Sequence, residues 1–109
     1  MNILFICSRN KWRSPTAEAI YKGRQDISVK SAGTEPSARI KLNAKFVTWA
    51  DMIFVMEKEH KQRITERFPD DVKEKKIIVL DIPDEYQFMD PELIEMIKST
   101  VDPLLEEYN

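Results

Sequence analysis

One segment of the chain combines a thiol with several positive charges. It reads CSRNKWRS over residues 7–14, and Cys7 is the only cysteine in the sequence. Arg9, Lys11 and Arg13 follow Cys7 at two-residue intervals. A thiolate is a strong nucleophile where neighbouring positive charge stabilises it, and arginine can hold phosphate oxygens with two parallel hydrogen bonds. These residue types predict nucleophilic chemistry on a bound phosphate.

The residues on either side of this segment indicate a strand and a helix. Asn2 to Ile6 form a short apolar run that is typical of a buried parallel strand. Ser14 followed by Pro15 is typical of the start of a helix. A loop between a strand and a helix N-terminus exposes backbone N–H groups that can bind an anion. We therefore expect a phosphate-binding loop in which Cys7 faces the phosphorus, while Ser14 either caps the helix or bonds to the sulfur.

The rest of the chain continues this alternation of strands and helices. It predicts an α/β fold, a three-layer sandwich in which a four-stranded parallel sheet lies between two layers of helices. The loops that follow parallel strands emerge at one edge of the sheet, so the segments 7–14 and 81–90 should meet. The further strands are predicted at 27–33, 52–56 and 76–80, and the further helices after Asn43, over 58–68 and from Asp90 to Leu104, with Pro103 kinking or restarting the last helix.

Length and composition indicate the class of protein. The chain has 109 residues, of which 42% are hydrophobic and 33% charged, as expected for one globular domain over residues 1–109. A net charge of −2 gives no argument for a nucleic-acid partner or an anionic membrane. No apolar run approaches the roughly 20 residues that a membrane span needs. We expect a cytoplasmic monomer that binds neither nucleic acid nor membrane.

The spacing of the residues in the loop resembles that of a known enzyme family. Cys7, Asn10, Arg13 and Ser14 form the pattern C-x-x-N-x-x-R-S, followed by PTAEAI, and resemble the active-site loop of the low-molecular-weight protein tyrosine phosphatase family. This resemblance implies a four-stranded parallel sheet with strand order 2-1-3-4. The similarity continues in SAGT at 31–34, in WAD at 49–51, and in Asp84 with Tyr86.

The resemblance implies a cysteine-dependent phosphomonoester hydrolase that acts on phosphotyrosine proteins through a phospho-cysteine intermediate, without a cofactor or metal. Cys7 is then the nucleophile, and Arg13 clamps the phosphate and stabilises the transition state. Asn10 holds the loop in shape, and Ser14 assists the thiolate as leaving group. The further candidates for substrate binding are Ser8, Arg9, Lys11, Trp12 and Tyr86.

The general acid of the family lies in a segment after the fourth strand, which here reads LDIPDEYQFMDPEL. It offers three aspartates. Asp90 precedes the last helix, where capping explains it, and Asp81 follows the strand too closely to reach over the loop. Asp84, with Tyr86 two residues later, matches the family spacing best. We therefore assign the general acid and base to Asp84, with Asp81 and Asp90 as alternatives.

The chain departs from the family pattern in three places. It is shorter between Thr34 and Asn43, where typical members have a further helix and turn, so part of the pocket wall is expected to be missing. Arg9 replaces a residue that is usually small. Trp12 replaces a second cysteine that many members carry, which argues against an arsenate reductase and against a protective disulfide on Cys7.

Two other functions fit the same loop. One is a phosphoryl-carrier domain of the sugar phosphotransferase type, and the other is a module that binds phosphate or phosphoproteins without turnover. Arg13 and an acid in the segment 81–90 favour transfer to water over the carrier function. Whether Asp84 lies within proton-transfer reach of a bound ester distinguishes the enzyme from the binding module.

Several side chains also have a purely structural interpretation. His60 is the only histidine and follows EKE on a polar helix, so we expect it at the surface and away from any metal. Ser14 is expected mainly to cap the helix. Trp12 and Tyr86 each either line the pocket or pack against the core.

Overall fold

The alternating pattern of the sequence produces alternating strands and helices in the structure. The structure is a computed structural model that describes residues 1–107, and the last two residues of the predicted domain lie outside the described residues. Within the described range the order is β1 (Asn2–Cys7), α1 (Arg13–Tyr21), β2 (Ser28–Gly33), α2 (Ala44–Trp49), β3 (Met52–Val55), α3 (Lys58–Arg67), α4 (Pro69–Val72), β4 (Lys76–Val79) and α5 (Pro91–Glu107).

The four strands form one parallel sheet in the order β2-β1-β3-β4. This confirms the α/β fold that the sequence predicts and the strand order that the family resemblance implies. Strand β1 extends one residue further than expected because Cys7 pairs with Gly33 of β2. On its other side, Ile6 pairs with Val55 of β3. The carboxyl ends of these three strands therefore meet at one edge, directly below the loop that follows Cys7.

The helices pack on both faces of the sheet, and each face has its own cluster of buried apolar side chains. Helices α1 and α5 cover one face, and helices α2, α3 and α4 cover the other. This confirms the three-layer arrangement. Burial of each such side chain stabilises the fold by about 1.5–3 kcal/mol. The first cluster includes Phe5 and Phe54 with Tyr21 and Ile97, and the second includes Leu4 and Ile53 with Val47 and Ile64.

Two of the predicted helix caps form and one does not. The Asn43 side chain accepts a hydrogen bond from the Phe46 backbone N–H, and Asp90 accepts one from the Glu92 N–H. Helix α1, in contrast, begins at Arg13, so Ser14 lies inside its first turn and the expected cap at Ser14 was wrong. The Ser14 hydroxyl instead contacts the sulfur of Cys7.

The helical segments that contain proline also differ from expectation. Helix α3 ends at Arg67, and a separate short helix begins at Pro69, where the missing N–H of proline costs nothing. Helix α5 continues without interruption through Pro103. The predicted restart does not occur, because the apolar face of α5 extends past this residue to the buried Leu105.

No helix among residues 1–107 is long and apolar enough to cross a membrane.

The chain that follows β2 folds back against the β1–α1 loop. The Gly33 N–H donates to the Ile40 carbonyl, and the Gly33 carbonyl accepts from the Leu42 N–H. A Cβ atom added to Gly33 would lie 2.7 Å from the Ser8 carbonyl oxygen and 2.7 Å from the Ala38 Cβ. Glycine is therefore needed here for close packing rather than for an unusual backbone conformation.

Replacing this glycine should destabilise the protein. We expect Gly33→Ala to lower the free energy of unfolding by about 1–3 kcal/mol, because the new methyl group overlaps backbone atoms of the loop. Gly23→Ala is the matched control, since a Cβ at Gly23 meets nothing within 4 Å, and it should leave stability unchanged or raise it by about 0.4–1 kcal/mol. Urea denaturation measures both, and equal effects would contradict this packing argument.

Candidate active site

The carbonyl groups at the start of the β1–α1 loop are bonded to the segment that follows β2. Four successive residues each present their carbonyl oxygen to this segment, at distances of 2.8 to 3.1 Å. The Thr34 N–H donates to the Cys7 carbonyl and the Glu35 N–H to the Ser8 carbonyl. Arg39 donates twice, from its backbone N–H to the Arg9 carbonyl and from its side-chain Nε–H to the Asn10 carbonyl. The short segment after β2 thus fixes the orientation of the loop peptides.

This orientation turns the amide groups of the loop toward Cys7. In a trans peptide the C=O and the following N–H point in opposite directions. With the carbonyls of residues 7–10 facing the segment after β2, the N–H groups of residues 8–11 face the other side. The Asn10 N–H donates to Cys7 Sγ at 3.2 Å, as this requires. Asn10 adopts a left-handed backbone (φ 55°), which asparagine tolerates better than most residues.

The sulfur of Cys7 is also held by a chain of polar side chains beneath the loop. Its Sγ lies 2.9 Å from Ser14 Oγ. The Asn10 amide donates to Ser14 Oγ at 2.8 Å and to Ser31 Oγ at 2.9 Å, and Ser31 donates in turn to Glu18. Because Ser14 Oγ accepts from Asn10, its proton is available to the sulfur. A thiolate on Cys7 would receive two hydrogen bonds in this arrangement.

Arg13 lies beside the sulfur with its charge compensated. Only 2% of its side chain is exposed, and one terminal nitrogen donates to Glu57 Oε2 at 2.6 Å and to the Ile82 carbonyl at 2.8 Å. Its Nε lies 3.6 Å from Asp84 Oδ1, on a side chain that is 57% exposed. A buried guanidinium needs such partners. Glu57 therefore fixes Arg13 from below, while Asp84 reaches it from the open side.

A small cavity opens between these groups. Its volume is about 50 Å³, which is room for a few water molecules or one tetrahedral anion. The Lys11 ammonium lies 4.6 Å from the centre of the Trp12 ring at the mouth. Three cations and one carboxylate are therefore combined with a nucleophile. The cavity is lined by Cys7, Arg9, Lys11, Trp12, Arg13 and Asp84.

Comparison with known proteins supports the family resemblance of this site. A family model described as low molecular weight phosphotyrosine protein phosphatase matches residues 2–48. A protein-arginine-phosphatase of Geobacillus stearothermophilus is 33% identical over 92 residues, a match that covers 62% of this chain and 62% of that protein's length. The part of the chain that contains the β1–α1 loop is thus similar to the family that the sequence resembles.

Solved structures of phosphatases share the fold. The YwlE arginine phosphatase from Geobacillus stearothermophilus is 24% identical with a TM-score of 0.73, covering 97% of this chain and 94% of that chain. The tyrosine phosphatase Wzb from Escherichia coli K30, in complex with phosphate, is 20% identical with a TM-score of 0.80, covering 99% and 98%. At these identities the likeness supports the architecture, and activity has to be argued from the site.

The remaining candidate residues lie outside the cavity lining. Asn10 and Ser14 are buried below it, and the Ser8 hydroxyl bonds to His60. Tyr86 packs partly buried against the core cluster of α1 and α5, with its hydroxyl 3.5 Å from Glu92.

The two alternative acids of the 81–90 segment lie away from the cavity lining. Asp81 is exposed, with a left-handed backbone (φ 59°) two residues after the end of β4. Asp90 caps α5. Of the three aspartates, Asp84 alone lines the cavity.

His60 is buried, so the expectation of a surface position was wrong. None of its side chain is exposed. Its Nδ1 accepts the Glu57 backbone N–H at 3.0 Å, and its Nε2 lies 2.8 Å from Ser8 Oγ. Glu57 is the N-cap of α3 and His60 its third residue, which together form a capping box. A hydrogen-bonding side chain three residues after a capping residue is a sequence signal that could have located it.

The environment of His60 disfavours its charged form. Burial, reinforced by the Arg13 guanidinium, lowers the pKa of His60 to about 4, although Glu57 acts in the opposite direction. The ring is therefore neutral at neutral pH. With Nδ1 accepting from Glu57, the proton resides on Nε2, which donates to Ser8 Oγ. His60 thus connects the loop to the residue that holds Arg13.

The acidic residues beside His60 do not favour a metal ion. Glu57, Glu59 and His60 each offer a ligand atom, and these atoms lie within 4.8 Å of one another. Both ring nitrogens of His60 already have hydrogen-bond partners, however, and Glu57 is paired with Arg13. These contacts fit a hydrogen-bonded network that supports the loop.

The buried neutral histidine should make stability depend on pH. Between about pH 6.5 and about pH 4 the unfolded chain protonates His60 while the folded chain does not. Stability is therefore lost as pH falls through this window. We expect native protein to lose on the order of 2–3 kcal/mol more than His60→Gln, measured by urea denaturation at several pH values. Parallel stability curves for the two proteins would contradict the assignment.

Proposed function

We propose that this protein is a phosphomonoester hydrolase of the protein tyrosine phosphatase type, acting through a phospho-cysteine intermediate on Cys7. The observation that carries the proposal is the Cys7 sulfur, which receives the Asn10 N–H and lies against Ser14 at the base of a cavity lined by Arg13. We further propose that the protein acts as a monomer in the cytoplasm, without a cofactor.

Substrate binding follows from the charges around the cavity. The phosphate would occupy the cavity, where the N–H groups of residues 8–11 and the free edge of the Arg13 guanidinium offer hydrogen bonds to its oxygens. Since Glu57 and Ile82 already orient Arg13, little reorganisation is needed when the phosphate binds. Arg9 and Lys11 add positive charge at the mouth.

The first chemical step transfers the phosphoryl group to sulfur. The Cys7 thiolate attacks phosphorus, and the bond between phosphorus and the ester oxygen breaks as the phosphorus–sulfur bond forms. Asp84, at the open side of Arg13, donates a proton to the departing oxygen. The negative charge on the equatorial oxygens is stabilised by Arg13 and by the loop amides.

The second step returns the enzyme to its starting state. Asp84, now ionised, accepts a proton from a water molecule that attacks the phospho-cysteine. Phosphorus–sulfur cleavage releases inorganic phosphate and the thiolate. The hydrogen bonds from Asn10 and Ser14 stabilise this thiolate as it departs.

The mouth of the cavity favours an aromatic ester. The cavity has room for the phosphate alone, so the organic group stands beside Trp12, whose ring can pack against a phenyl ring. Phosphoarginine is the second candidate, because one relative is a protein-arginine-phosphatase and because the exposed Asp84 could pair with a guanidinium. Arg9 and Lys11 would repel that guanidinium, so we propose phosphotyrosine.

Hydrolysis of para-nitrophenyl phosphate tests the catalytic function. We expect turnover without added metal, highest at mildly acidic pH within the range from about 4.5 to about 8. Cys7→Ser should abolish it, because the hydroxyl is a much weaker nucleophile than the thiolate. Peptides of one sequence should be hydrolysed faster with phosphotyrosine than with phosphoarginine. If wild type and Cys7→Ser bind phosphate but are equally inactive, the protein is a phosphoryl carrier or a phosphate-binding module.

Asp84 has a test of its own. Asp84→Asn should lower kcat for phenyl phosphate by about 10²–10⁴-fold, since the phenolate then departs without a proton. The loss should be smaller for para-nitrophenyl phosphate, whose leaving group needs less assistance. Asp81→Asn is the matched control, because asparagine accommodates the left-handed backbone at this exposed position. If Asp81→Asn reduces kcat and Asp84→Asn does not, the acid has been assigned wrongly.

A further inference from the structure

A second, wider groove lies beside the cavity, along helix α1. Its volume is about 350 Å³. Lys11 lines both the cavity and this groove, so the two adjoin at this residue. We call it the side groove, and its lining includes Lys11, Pro15, Glu18, Lys22, Arg39 and Phe88.

The side groove is positively charged. Lys11, Lys22 and Arg39 are exposed, and none of the three forms an ion pair with another residue among those the structure describes. Glu18 is the acidic residue of the lining, and its carboxylate already accepts a hydrogen bond from Ser31. Cations without acidic partners around a concave surface favour an anionic ligand.

The side groove also has an apolar wall. Phe88 is 53% exposed and lines the groove. The segment that contains Phe88 is hydrogen-bonded to α1, because the N–H of the next residue, Met89, donates to Thr16 Oγ1 at 2.9 Å. Phe88 and Pro15 of α1 both line the groove. Such a wall could contact an apolar side chain of a bound peptide.

The length of the side groove fits a short extended peptide. Lys11 precedes α1 and Lys22 follows it, and α1 has nine residues. A helix of this length extends about 14 Å, a distance that about four residues of extended chain cover. A peptide whose phosphorylated side chain fills the cavity could therefore bring a residue about four positions away to Lys22.

From this geometry we propose that the side groove binds an acidic segment of the phosphoprotein substrate, with aspartate or glutamate about four residues from the phosphorylated residue paired with Lys22 and Arg39. The inference rests on the proposed function, since it assumes that a phosphorylated side chain occupies the cavity. It makes Lys22 and Phe88 determinants of substrate choice rather than of the chemical step, whereas Arg39 also holds the Asn10 carbonyl of the loop. Exposed ion pairs are individually weak, so their effect should be modest and sensitive to salt.

The experiment measures binding separately from turnover. Cys7→Ser protein is titrated against fluorescein-labelled phosphotyrosine peptides that carry either glutamate or glutamine about four positions on each side of the phosphotyrosine. Fluorescence anisotropy gives Kd at low and high salt. We expect the glutamate peptide to bind about threefold to tenfold more tightly at low salt, and Lys22→Glu in the same background to remove or invert this preference.

Controls separate the effect of the side groove from a general effect of surface charge, and separate the groove proposal from the catalytic proposal. Lys61→Glu, an equal charge reversal on the exposed surface of α3, should keep the preference, and circular dichroism verifies that each variant is folded. Equal affinity for the two peptides, or a preference that Lys22→Glu leaves unchanged, would overturn the inference. If wild type hydrolyses neither peptide although the preference is present and depends on Lys22, the groove assignment stands and the catalytic proposal fails.

Discussion

The hydrogen bonds that hold the β1–α1 loop by its carbonyl groups are the constraint on which the rest of the site depends. Because Thr34, Glu35 and Arg39 bind the carbonyls of residues 7–10, the opposite edges of those peptides turn their N–H groups toward the sulfur. Gly33 permits this by letting the two segments approach within a distance that any Cβ would prevent. The orientation of the loop amides thus follows from contacts between these two segments, in which three backbone N–H groups and the Arg39 Nε–H bind the loop carbonyls.

The buried ionisable side chains beside this loop, Arg13 and His60, each have partners. Arg13 is almost fully buried and forms an ion pair with Glu57. Glu57 is also the N-cap of α3, where it forms a capping box with His60. His60 stays neutral because it is buried near Arg13, and it bonds back to the loop through Ser8. Lys11 and Lys22, which form no ion pair among the described residues, lie outside this network, at the mouth and along the side groove.

Much of the fold could be predicted from the sequence, because strands and helices are encoded by local patterns. The strand order came from the family resemblance, and caps such as Asn43 depend on residues three positions apart. The errors concern contacts that the local pattern of the sequence does not encode. His60 is buried and bonds to Ser8, which lies 52 positions away, and Ser14, which was expected to cap α1, lies inside its first turn and contacts Cys7. The role of the short segment after β2 in holding the loop carbonyls could not be read from its composition either.

The central claim is that Cys7 carries the phosphoryl group during turnover, and trapping the intermediate tests it most directly. Wild-type protein in steady-state turnover of para-nitrophenyl phosphate is quenched in acid, digested and analysed by mass spectrometry. The account predicts a phosphoryl group on Cys7 that is present during turnover and disappears once substrate is exhausted. Turnover without any phosphoryl group on Cys7, or with one on a different residue, would contradict it.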